Sequence, residues 1–388
     1  MPAMKPEMDR RAFFGFAMTS LPGRPDPGFP APKATAKSVP MIHATDLFRP
    51  PDDPDDHWDL ASVYALAYRG LVELKAILID HPVRRHGNDP DVLAVAQMNY
   101  LTGLCVPCAV GPSKRFSSRK DKLADSAPAE VAAIDFLLSL LRDAKGPVLI
   151  NITGSCRTVA AAGNRDPELF AKKCAAIYLN AGVGSPDPAK AAQREYNVGL
   201  DPLAYAAIFD LPCPVYWLPC FEDLGERLPD GGWPVRQFGS YYRFRHEQIM
   251  PHLSDRVANF FTFMYRGGRT RKQGWPGATR WLQHLSGPRD RDEEARVAKS
   301  WRNMWCTAGF LHAAELTVTR AGKLASRDNQ GEAVFEFVPV QVTCSDRGVT
   351  TWRLSHRPTN RFILRVRDTA SYGSAMTEGL KELLSYLP

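Results

Sequence analysis

Short apolar runs alternate along this chain with longer segments of helical spacing, and that rhythm narrows the fold more than any other feature. "VPMIHA" before Asp46, "LKAILID" (74–80), "PVLINIT" (147–153), "AAIYLNAG" (175–182) and "PVYWLPC" (214–220) are apolar at nearly every position. Strands covered on both faces read this way. Between them lie "HWDLASVYALAYRG", "DVLAVAQMNYLTG", "APAEVAAIDFLLSLLRDA" and "DPLAYAAIF", the last opening with Asp201 as N-cap and Pro202 as first helical residue. The alternation predicts an α/β fold, a mainly parallel sheet flanked by helices and joined by right-handed crossovers, as a single large domain over residues 39–388. Ligands of such sheets bind beyond the carboxyl ends of the strands. Asp46, Asp80, Thr153 and Gly182 stand at or just past those ends and are expected to converge.

Regularity falls off after the fifth run. From Phe221 to Arg302 the chain is aromatic and basic, with "GSYYRFRHEQIMPHL" and "ANFFTFMYRGGRTRKQGW", and reads as several helices and surface excursions that cover or flank the site. From Glu332 on, "AVFEFVPVQVTC" and "RFILRVRD" read as strands, followed by an amphipathic helix from Ser374 to Leu384. The first 38 residues differ in kind. Arg10-Arg11 precede a short apolar stretch, a Pro-rich segment follows, and "ATA" (Ala34 to Ala36) offers a small-residue cleavage site. That order reads as a twin-arginine export signal with a Pro-rich linker, placing the mature protein in the periplasm or outside the cell. A disordered basic tail on a cytoplasmic protein is the alternative.

Composition removes several classes of function. With 388 residues, 44% of them hydrophobic and 23% charged, the chain can bury a large core. Its net charge of +7 is spread along the sequence without the aromatic-basic repeat of a nucleic-acid groove, so a nucleic-acid partner is not expected. No stretch approaches the roughly 20 apolar residues of a membrane span. The eight cysteines lack zinc-ribbon spacing, and the one CxxC, Cys105 to Cys108, lies in the apolar "LCVPCAVG", which reads as buried thiols.

The segment "DLFRPPDDPDDHWDLASVYAL" (46–66) holds six aspartates. Asp55 and Asp56 open a helix, where carboxylates are favoured by unpaired N–H groups and the helix dipole. One or two acids satisfy that role. Six neighbouring carboxylates repel unless they are solvated or neutralised, and a hard divalent cation with oxygen ligands is the natural neutraliser. Asp52 and Asp53, in a Pro-rich loop, read as solvent-facing.

With these residues laid out, the chain resembles the inosine-uridine-preferring nucleoside hydrolase family from about Pro40 to the C-terminus, more weakly after Phe221. "IHATD" supplies the aspartate after the first strand, Asp46, and "DDHWDLASVYAL" supplies the aspartate pair and its Ala/Leu helix. "RRHGND" carries Gly87-Asn88 after the second strand, "NITGSCRTVAAA" is similar to the family's Thr-Gly turn, and "REYNVGLDPLAYAAIF" is similar to its Glu-Phe-Asn run and following helix. The resemblance implies a calcium ion held by Asp46, Asp56 and the Thr153 carbonyl. It also implies Asp46 as general base, and Asp55, Asn88, Glu195 and Asn197 as ribose-binding residues. The reaction it implies is hydrolysis of the N-glycosidic bond of a small-molecule riboside, with calcium gripping the 2′ and 3′ hydroxyls and acidifying the attacking water. A homo-oligomer is left open.

The departures are specific. The first aspartate of the family's opening Asp-x-Asp is Ala44, and "LFRPPDDP" is an insertion before Asp55. In "RNMWCTAGFLHAAEL", Trp305-Cys306 stand where the family has His-Asp, with Asp346 and His312 as substitutes that no motif supports. His57, His81 and His86 lie near the expected mouth, where a lone loop histidine is more often structural. Two further readings therefore stay open: a related hydrolase for another sugar-containing substrate, or a riboside-binding protein with a degenerate metal site.

Overall fold

The computed structural model describes residues 38–51, 54–82, 88–269 and 280–388, with the backbone alone at 267–269. The expected export signal and the loop residues Asp52, Asp53 and His86 lie outside them. Nine strands form one sheet: β1 (Val39–Thr45), β2 (Val72–Ile79), β3 (Cys108–Val110), β4 (Val148–Ile152), β5 (Cys174–Asn180), β6 (Val215–Leu218), β7 (Phe335–Cys344), β8 (Thr350–Leu354) and β9 (Arg361–Val366). Their order is β8-β7-β9-β6-β5-β4-β1-β2-β3. The seven strands from β9 to β3 are parallel, while β7 runs against both β8 and β9. This is the mainly parallel sheet the apolar runs predict.

The order contains the feature that positions a site. From β1 the chain adds β2 and β3 on one side, then returns to place β4, β5 and β6 on the other, so the winding reverses between β1 and β4. A crevice opens at such a point beyond the carboxyl ends of the two strands. Asp46 follows β1 and Thr153 follows β4.

Alternation along the strands divides the core in two. Met41, Ile77, Ile79 and Leu149 pack on one face with α1 (Asp55–Tyr68) and α2 (Val92–Thr102). Ile42, Leu78 and Ile150 pack on the other with α3 (Pro128–Asp143) and α4 (Arg157–Arg165). α5 (Tyr196–Leu200) and α6 (Pro202–Ile208) follow β5, and α7 (Asp255–Arg269), α8 (Thr307–Ala313) and α9 (Tyr372–Leu384) complete the helices that matter here. Local chemistry fixes their ends. The Asp91 side chain caps α2 by accepting from Ala94 N at 3.1 Å, and Gly103, at φ 69°, ends that helix in the left-handed conformation. α3 starts at Pro128 and α6 at Pro202, where a missing N–H costs nothing.

The CxxC pair corrects one expectation. Cys105 is exposed and Cys108 half-buried, both free thiols, because their segment forms the short edge strand β3 with only one neighbour. Among the described residues no helix is long and apolar enough to cross a membrane.

Candidate active site

A cleft of about 400 Å³ opens at the β1/β4 reversal, and Asp46, Asp55, Asp56, Thr153, Glu195 and Asn197 line it together. Six of the seven sequence-derived site residues thus share one cavity, two of them at the ends of β1 and β4 and four at the starts of α1 and α5. The seventh, Asn88, is buried but outside the lining.

Gly154 lets the strand ends close on one another. A Cβ there would lie 2.7 Å from Asp46 N and 2.8 Å from its Oδ1, so any side chain would push the carboxylate out. Asp80, at the end of β2, sits just beneath: it is buried, its Oδ2 accepts from Ser155 N, and it does not line the cleft. Burial pushes its carboxyl well above the usual range, with the Arg157 guanidinium working against the shift and Asp46 adding to it.

The carboxylates crowd one another. Burial, then Asp46, Asp55 and Asp59, drive the Asp56 carboxyl well above the usual range, although Thr45 Oγ1 donates to its Oδ1 at 3.1 Å. A cation among them would reverse that shift. Asp46, Asp56 and the Thr153 carbonyl are hard oxygen donors and fit a calcium-class ion in chemistry and in charge. The set is two carboxylates and one main-chain oxygen; among the described residues no group of three or more His, Cys, Asp or Glu side chains is arranged to hold a metal.

Glu195 and Asn197 turn out to be braces as well as lining. Glu195 caps α5, its Oε1 accepting from Gly182 N at 2.8 Å and Val198 N at 2.7 Å, its Oε2 from Asn197 N at 2.9 Å. Burial raises its pKa against those three bonds. Asn197 Nδ2 donates to the Thr153 carbonyl at 3.1 Å and to the Asn180 carbonyl at 3.0 Å, tying β4 to β5. Its Oδ1 is the atom left to accept from a ligand hydroxyl. Gly182, at φ 89°, gives its N–H to Glu195 and so reaches the site only indirectly.

The other wall is one the sequence did not announce. Phe48, Phe221, Leu224, Trp233 and Trp305 line the same cleft as the carboxylates. Phe221 and Trp233 lie 4.5 Å apart by ring centroid, and Trp305 meets Phe221 at 5.8 Å and 77°. The antiparallel ribbon of Tyr242–Arg245 and Trp301–Met304 delivers Trp305 at its end, and Tyr241 backs the rings with its hydroxyl on Asn303 Oδ1 at 2.8 Å. Trp305's only sequence signal is its position in place of an expected histidine.

Cys306 lies deeper. Its Sγ donates to Asn180 Oδ1 at 3.1 Å, and Cys220 approaches the same oxygen at 3.7 Å. The other candidates for a C-terminal ligand are elsewhere: Asp346 is exposed and bonded to Arg119, and His312 Nδ1 meets Tyr178 OH at 2.8 Å within an aromatic cluster. His57 is buried against Asp91 at 3.1 Å and His81 meets the Pro82 carbonyl at 3.2 Å; neither lines the cleft.

No family model matches the chain, and no curated protein matches its sequence. Solved structures do match it. A plant nucleoside hydrolase is 14% identical with a TM-score of 0.47, and a purine-preferring ribonucleoside hydrolase from Gardnerella vaginalis is 15% identical with a TM-score of 0.47. An inosine-uridine-preferring nucleoside hydrolase from Bacillus anthracis is 13% identical with a TM-score of 0.42. Each match covers 89% of this chain and 99% of the other.

Proposed function

We propose that this chain hydrolyses the N-glycosidic bond of a nucleoside or related riboside, with calcium as its cofactor. The observation that carries the reading is the convergence, at the sheet's reversal point, of Asp46, Asp56 and the Asn197-braced Thr153 carbonyl in one cleft with a cluster of aromatic rings. One half of the cleft suits a polyhydroxylated sugar and the other a flat heterocycle. Asp46 takes the proton of the attacking water as general base. Asp55 and the Oδ1 of Asn197 accept from ribose hydroxyls, and Glu195 holds the turn that presents Asn197. Calcium, when bound, supplies the positive charge that grips the ribose diol and makes the attacking water more acidic.

The test is release of free ribose from a panel of nucleosides and other ribosides, with calcium and with chelator. Calcium-dependent release from at least one member supports the reading. Trp305-Cys306 in place of His-Asp favours a second reading, a riboside-binding protein, and ribose binding with no release from any member would select it. We also propose twin-arginine export. Lys-Lys in place of Arg10-Arg11 is expected to hold the protein in the cytoplasm with its melting temperature unchanged, and equal export of both versions sinks this idea.

A further inference from the structure

Resting on the hydrolase reading, we propose that the site selects N-ribosides whose heterocycle carries a fixed positive charge, such as an N-alkylated purine or a pyridinium, and that Trp305 sets this preference.

The two walls point to a cation that is also flat. Four carboxyls, those of Asp46, Asp55, Asp56 and Glu195, line the cleft against one guanidinium, that of Arg194. Even a bound divalent ion leaves this lining negative in formal charge. The same cleft is lined by aromatic rings, whose faces attract cations through their quadrupole. The wall already does so on its outer side, where Arg227 Cζ lies 3.5 Å from the centroid of the Trp233 ring. The rings are held at fixed angles by one another, Trp233 and Trp305 at 6.3 Å and 68°, so a stacking surface is in place before a ligand arrives.

Leaving-group chemistry points the same way. When the C1′–N bond of a neutral nucleoside breaks, the electron pair goes to the ring nitrogen and the departing anion needs a proton. Among the described residues lining the cleft there is no histidine or lysine; besides the carboxyls and Arg194, the ionisable groups are the Tyr196 phenol, beside the sugar-binding turn, and the Cys220 thiol, which burial pushes well up. Trp305 Nε1 is buried without a protein acceptor, and an indole N–H donates a hydrogen bond but no proton. A cationic heterocycle removes the requirement. Water adds to C1′, its proton passes to Asp46, and the bonding pair neutralises the ring's charge, giving ribose, a neutral base and one released proton.

The comparison that reads this is 7-methylguanosine against guanosine at mildly acidic pH, where N1 of the methylated base keeps its proton and the two differ by one methyl group and one positive charge. In the Asp46→Asn protein with calcium present, where the lining is formally neutral and the rings alone discriminate, calorimetric binding is expected to favour 7-methylguanosine by about tenfold. Wild-type kcat/KM is expected to follow the same order. Trp305→Phe, which keeps a ring face, retains the preference for charge, and Trp305→Leu loses most of it. Guanosine bound and cleaved as well as 7-methylguanosine overturns the proposal while leaving the hydrolase reading intact. Tighter binding of 7-methylguanosine with no ribose released from either keeps the charge selectivity and removes hydrolysis. Binding of neither overturns the proposal and leaves the hydrolase reading to the riboside panel.

Discussion

Asp46 and Asn197 line the same cleft but owe it different things. Replacing Asp46 by Asn keeps an oxygen near the ion site and removes the base, so kcat is expected to fall by about a hundred- to ten-thousandfold with little change in ribose binding. Asn197 holds the Thr153 carbonyl at 3.1 Å, so Asn197→Ala removes a ribose contact and loosens a proposed calcium ligand together. Its signature is weaker ribose binding and weaker calcium binding, with the loss recovered in part at high calcium. An Asp46→Asn enzyme with unchanged kcat would move the base elsewhere in the aspartate-rich segment. The difference in legibility between the two walls has a physical cause. Asp46, Asp56, Thr153 and Asn197 stand one step beyond strands or at helix starts, where the sequence pattern itself says which end of the sheet they occupy. Phe221 and Trp233 come from the long connection between Leu218 and Tyr242 and Trp305 from the loop after Met304, both without periodicity, and only their packing on one another brings them to one surface.

Among the elements, the five central strands and the helices between them were readable because each is apolar on the faces it buries. α4 was not: "RTVAAAGNR" carries a glycine and a buried arginine, and its helix is secured by Arg157 reaching the Ser113 and His81 carbonyls, contacts between loops far apart in sequence. The buried thiols expected in "LCVPCAVG" fail for the converse reason, since an apolar run says nothing of how many neighbours a strand such as β3 will have. α6 shows a local signal with a measurable consequence. The Asp201 carboxylate caps it by accepting from Ala204 N at 3.1 Å and also takes Phe116 N at 2.8 Å, tying the loop before α3 to the helix that follows the Glu195–Asn197 turn. Asp201→Ala loses the cap and orphans a buried N–H, a destabilisation of about 2–4 kcal/mol in urea unfolding. Asp201→Asn, which keeps one acceptor oxygen, is expected to cost less than half of that. Equal loss in both variants would mean the charge matters and the hydrogen bonds do not.

For the whole molecule, buried ionisable groups set how stability varies with pH and with calcium. His43 is fully buried in β1, edge-on to Phe310 with ring centroids 5.4 Å apart, and burial lowers its pKa from 6.5 to about 3. The unfolded chain protonates this ring below pH 6.5 while the folded protein keeps it neutral, so its contribution falls as pH drops from 6.5 towards 3, by about 1.4 kcal/mol per pH unit. His43→Phe is expected to make the decline between pH 6 and 4 shallower by roughly that amount; parallel curves would contradict the burial of an ionisable ring there. The carboxylate cluster responds to calcium instead. At a hundredfold excess over its dissociation constant, calcium should add about 2.7 kcal/mol, a rise of about 3–4 °C in melting temperature for a chain of this size. Asp56→Asn keeps the side chain's shape and an acceptor for the Thr45 hydroxyl, but removes one charge from a group that burial, Asp46, Asp55 and Asp59 all oppose. In chelator the variant should therefore melt above the wild type, and in saturating calcium below it, because the charge that strains the empty cluster is the one that holds the ion. Such a crossing requires Asp56 to be a ligand; a calcium shift of equal size in both proteins would place the ion elsewhere.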